Sequence, residues 1–159
     1  MLRHLRRNKV ETVFVLGGGG NLGAVQVGML RALLERGFQP DALVGCSAGA
    51  INSAALACDP TLDGVSRMAQ LWRDLDGEAL CPSGRISGLL LLTRKYRALQ
   101  SNDGLRNLLE SSLPIRTFEE AKIPFHVVAT SLADGLERWF HRGPVIDPIL
   151  ASAALPAMF

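Results

Sequence analysis

The sequence predicts an α/β fold in which a mainly parallel sheet is covered by helices on both sides. Apolar, strand-like runs alternate with helix-like patterns in the first third of the chain. Glycine-rich segments directly follow the first two runs, as expected for turns between strands and helices. Strand, helix, strand and helix in succession form a βαβα unit, whose parallel strands are joined by right-handed crossovers.

The elements of this unit follow from local patterns. The first run is apolar without interruption, which is typical of a strand buried on both faces. Leucines and a methionine at near-helical spacing indicate the first helix, and Gly37 ends it as a C-cap. Pro40 and Asp41 turn the chain into the second strand, and an alanine-rich stretch follows. The predicted elements are a strand at 12–16, a helix at 22–36, a strand at 42–44 and a helix at 50–57.

The remainder of the chain predicts further helices and one hairpin. Residues 125–130 and 136–141 are typical of strands, and the turn Ala133-Asp134-Gly135 between them favours antiparallel pairing. No internal repeat or low-complexity linker interrupts the pattern. The helical segments are an amphipathic stretch at 61–75, a leucine-rich stretch from 102 to about 112 and a last stretch at 147–154.

The composition indicates one globular domain. The chain has 159 residues, of which 48% are hydrophobic and 20% charged, and this length suffices to bury a single core. A formal net charge of +2 gives no case for nucleic acid as a partner. We divide the chain into a basic N-terminal extension at 1–11 and a domain at 12–159. The basic residues of the extension, which fit either an anionic membrane surface or a solvated terminus, are Arg3, Arg6, Arg7 and Lys9.

The sequence has the features of neither a signal peptide nor a transmembrane helix, because polar and charged residues interrupt the chain up to Thr12. We therefore expect a cytoplasmic protein, with peripheral membrane contact left open. The cysteines Cys46, Cys58 and Cys81 are odd in number and lack the spacing of metal ligands. They predict reduced thiols, with no disulfide framework and no metal site.

A Gly-x-Ser-x-Gly motif lies where the second strand meets the following helix. At such a junction the serine occupies a strained turn, the nucleophile elbow, which exposes its hydroxyl. The flanking glycines remove the Cβ atoms that would collide in the turn. We therefore predict that Ser47 is a catalytic nucleophile, the alternative being a purely structural turn. The elbow residues around it are Gly45, Cys46, Ala48 and Gly49.

A glycine-rich loop follows the first strand. Successive glycines have no side chains to cover their backbone N–H groups. At the start of a helix, these accessible donors and the positive end of the helix dipole form an anion site. If the anion is the oxyanion of an acyl-transfer intermediate, the loop should lie beside Ser47, because both follow the C-terminal ends of neighbouring parallel strands. The loop consists of Gly17, Gly18, Gly19, Gly20, Asn21, Leu22 and Gly23.

The same loop also satisfies the G-x-G-x-x-G pattern of dinucleotide-binding proteins through Gly18, Gly20 and Gly23. Such a site needs an acidic residue at the end of the second strand to hold the ribose hydroxyls. The nearest acid, Asp41, precedes that strand, so the sequence disfavours a Rossmann-like protein. A P-loop is excluded because no Gly-Lys-Ser or Gly-Lys-Thr follows the glycines.

Two stretches, 16–30 and 44–52, resemble the patatin-like phospholipase family. Two later stretches, 124–130 and 151–156, are also similar to it, so the resemblance extends from about residue 13 to residue 159. It implies a three-layer α/β/α sandwich, incomplete at the C-terminus of this chain. It also implies hydrolysis of acyl esters of lipids, with no cofactor and no metal.

The resemblance implies roles for individual residues. Ser47 corresponds to the nucleophile of a Ser-Asp dyad, and the backbone amides of Gly18, Gly19 and Gly20 would line the oxyanion hole. The family usually has arginine or lysine where this chain has Leu22, a change that would weaken the attraction for anions or the preference for phospholipids.

The general base is not evident in the sequence. In the family, the dyad aspartate lies in an Asp-Gly-Gly or Asp-Gly-Ala motif beyond the stretch that matches 151–156, so we expect it beyond Phe159. Asp134 is an alternative, although Asp-Gly in a hairpin turn is favoured by backbone geometry alone. A Ser-His-Asp triad would instead recruit His126 or His141, for which a structural role is the commoner outcome. A noncatalytic module is a further alternative.

An apolar run at 86–92 lies next to a loop broken by proline and glycine. It fits either an interfacial lid or the start of a buried helix, and the second interpretation is favoured because consecutive leucines usually serve a core. The expected substrate is a lipid or a small ester in either case.

Overall fold

The computed structural model describes residues 12–74 and 103–154. These residues form a mixed sheet with the strand order β1-β2-β3-β4, in which the first three strands are parallel and the last is antiparallel. The α/β fold and its mainly parallel sheet are therefore confirmed. The strands are β1 (Val13–Leu16), β2 (Ala42–Cys46), β3 (Phe125–Thr130) and β4 (Glu137–Phe140).

The helices follow the predicted order, with small shifts at their ends. A short 3-10 turn at Gly20–Leu22 precedes the first α-helix, which consequently begins one residue later than predicted. A second 3-10 turn, Phe118–Glu120, leads towards β3. The α-helices are α1 (Gly23–Glu35), α2 (Ala48–Cys58), α3 (Leu62–Asp74), α4 (Asp103–Ser112) and α5 (Ile146–Ala153).

Two predicted turns have the expected backbone geometry. At the end of α1, Gly37 has a φ of 82°, and its amide donates to the carbonyl of Leu34 at 3.0 Å. In the β3–β4 hairpin, Gly135 has a φ of 71°, and the amide of Ser131 donates to the carbonyl of Leu136 at 2.8 Å. The C-cap and the hairpin turn are both confirmed.

The core lies on one face of the sheet. Leu43, Phe125 and Val127 are buried on this face, where register places Leu43 opposite Phe125, and α2 packs against them. The side chains of Val13 and Val15 alternate to the other face of β1 and are exposed. The prediction that β1 is buried on both faces is therefore wrong for the described residues. β1 is the edge strand of the described sheet, and an apolar run alone does not specify which elements cover it.

The first turn of α2 makes a close backbone contact with the end of β1. A Cβ atom at Gly49 would lie 2.0 Å from the carbonyl oxygen of Leu16 and 2.6 Å from that of Gly17. A residue with a side chain does not fit there, because the obstructing atoms belong to the backbone at the end of β1, which cannot rotate away as a side chain could. This contact sets the position of α2 over the sheet.

We predict that Gly49→Ala lowers the free energy of unfolding by more than about 3 kcal/mol, because the added methyl group overpacks a backbone contact. The matched control is Gly28→Ala, a helical glycine in α1 whose Cβ would meet no atom within 4 Å. This control should raise stability by roughly 0.5–1 kcal/mol through helix propensity. Urea unfolding followed by circular dichroism measures both values. A Gly49→Ala protein within about 1 kcal/mol of the parent would contradict this packing.

Candidate active site

Ser47 occupies a strained turn between β2 and α2. Its φ is 54° and its ψ is −123°, and it is the only non-glycine residue with positive φ among the described residues. Such a conformation costs about 1–3 kcal/mol and persists only where the surroundings enforce it. Gly45 is one of the enforcing residues, since a Cβ there would lie 2.4 Å from the carbonyl oxygen of Gly49. The backbone of Ser47 therefore has the geometry typical of a nucleophile elbow.

Hydrogen bonds hold the peptide groups of Ser47 on both sides. Its carbonyl oxygen accepts from the amide of Ala50 at 2.8 Å, in the first turn of α2. Its amide donates to the hydroxyl oxygen of Ser152, in α5, at 2.8 Å. The Ser152 hydroxyl in turn donates to the carbonyl oxygen of Val128 at 2.6 Å. The elbow is thus tied to β3 through a helix that lies far along the sequence.

The glycine-rich loop passes directly beside Ser47 at Gly18. A Cβ atom on Gly18 would lie 3.2 Å from the Cβ of Ser47 and 3.8 Å from its Oγ. Gly19 and Gly20 lie further along the loop, where a Cβ on Gly19 would be nearest to Leu22, at 3.4 Å, and one on Gly20 would meet open space. The described structure thus brings Gly18 next to the serine and leaves the next two glycines more open.

The end of the loop is packed between helices. Gly23, the first residue of α1, is buried, and a Cβ there would lie 2.5 Å from the ring of Trp72 and 2.8 Å from the Cβ of Ala48. The preceding residues Asn21 and Leu22 are exposed in the 3-10 turn. The loop therefore presents its middle to solvent while its last glycine is fixed against α2 and α3.

A polar network centred on a buried asparagine anchors both ends of the glycine-rich loop. Asn52, in α2, is 1% exposed, and its amide nitrogen donates to the carbonyl of Gly23 and to the side chain of Gln26, both at 2.9 Å. Gln26 donates to the carbonyl of Gly17 at 2.7 Å, and the indole N–H of Trp72 donates to Asn52 at 2.8 Å. Every polar atom of the Asn52 side chain has a partner, so the network adds rigidity without the free-energy cost of an unpaired buried polar group.

Local sequence patterns did not predict Asn52, Gln26, Trp72 or Ser152 as parts of the site. Asn52 is an amide side chain within an otherwise small and apolar helix, five residues after Ser47, which is a usable signal. The partners of Asn52 and Ser47 lie up to 105 residues away in sequence, and no local pattern specifies such contacts.

Asp134, the alternative base, is engaged in the β3–β4 hairpin. Its carboxylate accepts from the amide of Leu136 at 3.1 Å and pairs with Arg138. The hydrogen bond from Leu136 and those from Ser131 and Arg138 lower the pKa of Asp134 below its usual value. These contacts account for Asp134 as a structural turn residue.

The two candidate histidines contact each other. The rings of His126 and His141 are stacked with centroids 5.0 Å apart, and Trp139 meets His126 edge-on at 6.2 Å. Burial, together with the nearby His141, lowers the pKa of His126. Within residues 12–74 and 103–154, the Ser47 hydroxyl donates to no carboxylate and to no imidazole.

The residue that a dinucleotide site would require lies at the wrong end of the sheet. Asp41 precedes β2, and its carboxylate accepts from the amide of Thr12 at 2.8 Å, just before β1. The glycine-rich loop is at the opposite, C-terminal end of β1. This geometry disfavours the Rossmann-like interpretation, because no acid of β2 faces the loop to hold a ribose.

The described cysteines are free thiols in different environments. Cys46 is exposed in the elbow, whereas Cys58 is buried at the end of α2, where burial raises its pKa to about 11. Residues 12–74 and 103–154 contain no group of three or more potential metal ligands. Cys81, the basic extension at 1–11 and the apolar run at 86–92 lie outside the described residues.

Comparison with known families identifies the family of the chain. A sequence model described as patatin-like phospholipase matches residues 14–159. The chain belongs to the patatin-like phospholipase family. The name of the family refers to phospholipases. None of the helices within 12–74 and 103–154 has the length and apolar character needed to span a bilayer.

Two relatives align with most of this chain. An uncharacterised NTE family protein of Mycobacterium bovis is 33% identical over 149 residues, which are 93% of this chain and 38% of the relative. The patatin-like phospholipase domain-containing protein 7 of Rattus norvegicus is 28% identical over 141 residues, which are 89% of this chain and 10% of the relative. The chain therefore spans less than half the length of either relative.

Solved structures of other proteins have a similar fold. The type III effector protein ExoU aligns with a TM-score of 0.56 at 22% identity, over 93% of this chain and 41% of ExoU. ExoU of Pseudomonas aeruginosa in complex with SpcU aligns with a TM-score of 0.56 at 21% identity, over 91% of this chain and 38% of that one. At this level of identity the likeness supports the α/β sandwich alone.

Proposed function

We propose that this protein is a serine acyl hydrolase that cleaves ester bonds of lipids, of phospholipase A or lysophospholipase type. The observation that carries the proposal is that a glycine-rich loop lies beside a serine elbow with positive φ. The two are so close that a Cβ added to Gly18 would lie 3.8 Å from the hydroxyl oxygen of Ser47. An elbow exposes a nucleophile, and a bare backbone beside it offers donors for developing negative charge. Family membership supports the same chemistry.

In the proposed mechanism, Ser47 Oγ attacks the ester carbonyl carbon while a base removes the hydroxyl proton. The carbonyl oxygen becomes an oxyanion, which accepts hydrogen bonds from the backbone amides of Gly18, Gly19 and Gly20. The positive end of the α1 dipole, which begins at Gly23, adds to this stabilisation. The base then protonates the leaving alcohol, and water hydrolyses the acyl-enzyme in a second, equivalent addition.

We assign the role of base to an aspartate beyond residue 159, as the family pattern implies. The contacts of Asp134 support this choice, because its carboxylate is occupied by the hairpin amide of Leu136 and by Arg138. His126 and His141 stack on each other, and within residues 12–74 and 103–154 neither forms a hydrogen bond with Ser47. Residues 1–159 alone should therefore hydrolyse esters slowly, since a serine hydroxyl without its base is a weak nucleophile.

We further propose peripheral contact with a lipid surface on the cytoplasmic side of a membrane. Leu22, Val25 and Met29 are 65%, 60% and 60% exposed and lie at helical spacing, so they form one apolar stripe that starts at the glycine-rich loop. Arg36, which directly follows α1, is exposed at the other end of this face. The stripe starts at Leu22, which lies beside Gly19 of the loop, and an exposed apolar helix face of this kind favours the bilayer surface as its partner.

A fluorophosphonate probe tests the nucleophile. We predict covalent labelling of Ser47, located by mass spectrometry, in a chain extended beyond Phe159 along its reading frame, and little labelling of residues 1–159 alone. Ser47→Ala should abolish labelling and lower lipid ester hydrolysis by at least about 1000-fold. The matched control is Ser66→Ala, which removes an exposed helical hydroxyl bonded only to the carbonyl of Leu62. Absence of labelling in both lengths of chain would refute the proposal and favour a noncatalytic module.

Vesicle flotation tests the apolar stripe. We predict that Val25→Asp and Met29→Asp each weaken binding to vesicles of phosphatidylcholine and phosphatidylglycerol by about 10-fold or more, because a charge replaces apolar area at the interface. The control is Leu62→Asp, which places the same charge on an exposed leucine of α3. Folded stripe variants that float as the parent does would show that this face does not dock on lipid.

A further inference from the structure

We infer that Ser152 is a positioning residue for the nucleophile: its hydroxyl takes the place of a sheet hydrogen bond and thereby sets the elbow of Ser47. This inference rests on the proposed function, because a residue can position Ser47 for reaction only if Ser47 is the nucleophile. Ser152 lies in α5, 105 residues from Ser47, and is partly buried.

The hydrogen-bonding pattern of β2 and β3 shows which bond is replaced. In this parallel pair, the amide of Leu43 donates to the carbonyl of Pro124 at 3.0 Å, while Leu43 is in register with Phe125. A parallel ladder repeats every two residues, so the next donors after Leu43 are the amides at positions 45 and 47, which are directed to the carbonyls of residues 126 and 128. The amide of Ser47 is therefore the next donor for the carbonyl of Val128.

The hydroxyl of Ser152 bridges these two groups. It accepts from the amide of Ser47 at 2.8 Å and donates to the carbonyl of Val128 at 2.6 Å. Both polar groups stay satisfied, yet they are separated by the width of one oxygen atom instead of being joined directly. The sheet opens at this point, where the chain leaves β2 and enters the positive-φ turn.

Two consequences follow for catalysis. The amide of Ser47 is committed to Ser152 and is not an oxyanion donor, which leaves that role to the glycine-rich loop. The position of Ser47 Oγ relative to Gly18 also depends on the bridge. Without the hydroxyl, either the amide of Ser47 closes onto Val128 and draws the elbow towards β3, or both groups lose their partner. Either change moves the nucleophile, and a displacement of about 1 Å lowers reaction rates by about 100-fold.

The test compares Ser152→Ala with Ser152→Thr, which keeps the hydroxyl, in the chain extended beyond Phe159. The control is Ser111→Ala, which removes a helical hydroxyl bonded only to the carbonyl of Leu108 in α4. We expect Ser152→Ala to lower the maximal rate of fluorophosphonate labelling at Ser47 by about 10- to 100-fold, with its half-saturating probe concentration within about threefold of the parent. Ser152→Thr and Ser111→Ala should label within about threefold of the parent.

A second measurement is independent of chemistry. Amide hydrogen exchange of residues 1–159, followed by NMR, should show faster exchange at Ser47 in Ser152→Ala by about 10-fold or more, with Ser152→Thr near the parent. If Ser152→Ala does not fold, Ser152→Cys replaces it, because a thiol is a weak donor and acceptor. Labelling of folded Ser152→Ala at the parent rate would overturn the inference, and so would unchanged exchange at Ser47. A parent that is never labelled refutes the proposed hydrolase, and exchange at Ser47 then still decides whether the bridge exists.

Discussion

The contact between the first turn of α2 and the C-terminal end of β1 determines the arrangement of the rest of the site. The helix can approach only because Gly49 has no side chain, since a Cβ there would lie 2.0 Å from the carbonyl oxygen of Leu16. This approach brings the chain that leaves β1 against the chain that leaves β2. Gly18 lies beside Ser47 for that reason, without any direct bond between the loop and the serine side chain.

Polar contacts then fix what the backbone contact brings together. Asn52 joins Gly23 to α2, Gln26 joins the start of the loop to α1, and Ser152 joins the elbow to β3. All three side chains act on backbone groups, so they constrain the main chain of the site. A rigid main chain is what an oxyanion hole of backbone amides requires, because its donors must be oriented before the reaction begins.

Local patterns predicted most of the fold but little of the support of the site. The alternation of strands and helices, the C-cap at Gly37 and the hairpin at Gly135 depend on neighbours in sequence, and the structure confirms them. The exposure of Val15 and the contacts of Asn52 and Ser152 depend on which distant elements pack together. Hydrophobic periodicity carries no information on that choice, and a serine in a small-residue helix looks the same whether or not it bridges two strands.

The central claim is that the hydroxyl of Ser47 and the amides of the glycine-rich loop act on one carbonyl group. The most direct test is a crystal structure of the chain extended beyond Phe159 after reaction with a fluorophosphonate. We predict phosphorus bonded to Ser47 Oγ and the phosphoryl oxygen within about 2.7–3.1 Å of loop amides, including that of Gly18 or its neighbours. Phosphorus on another residue, or a phosphoryl oxygen directed away from the loop, would contradict it.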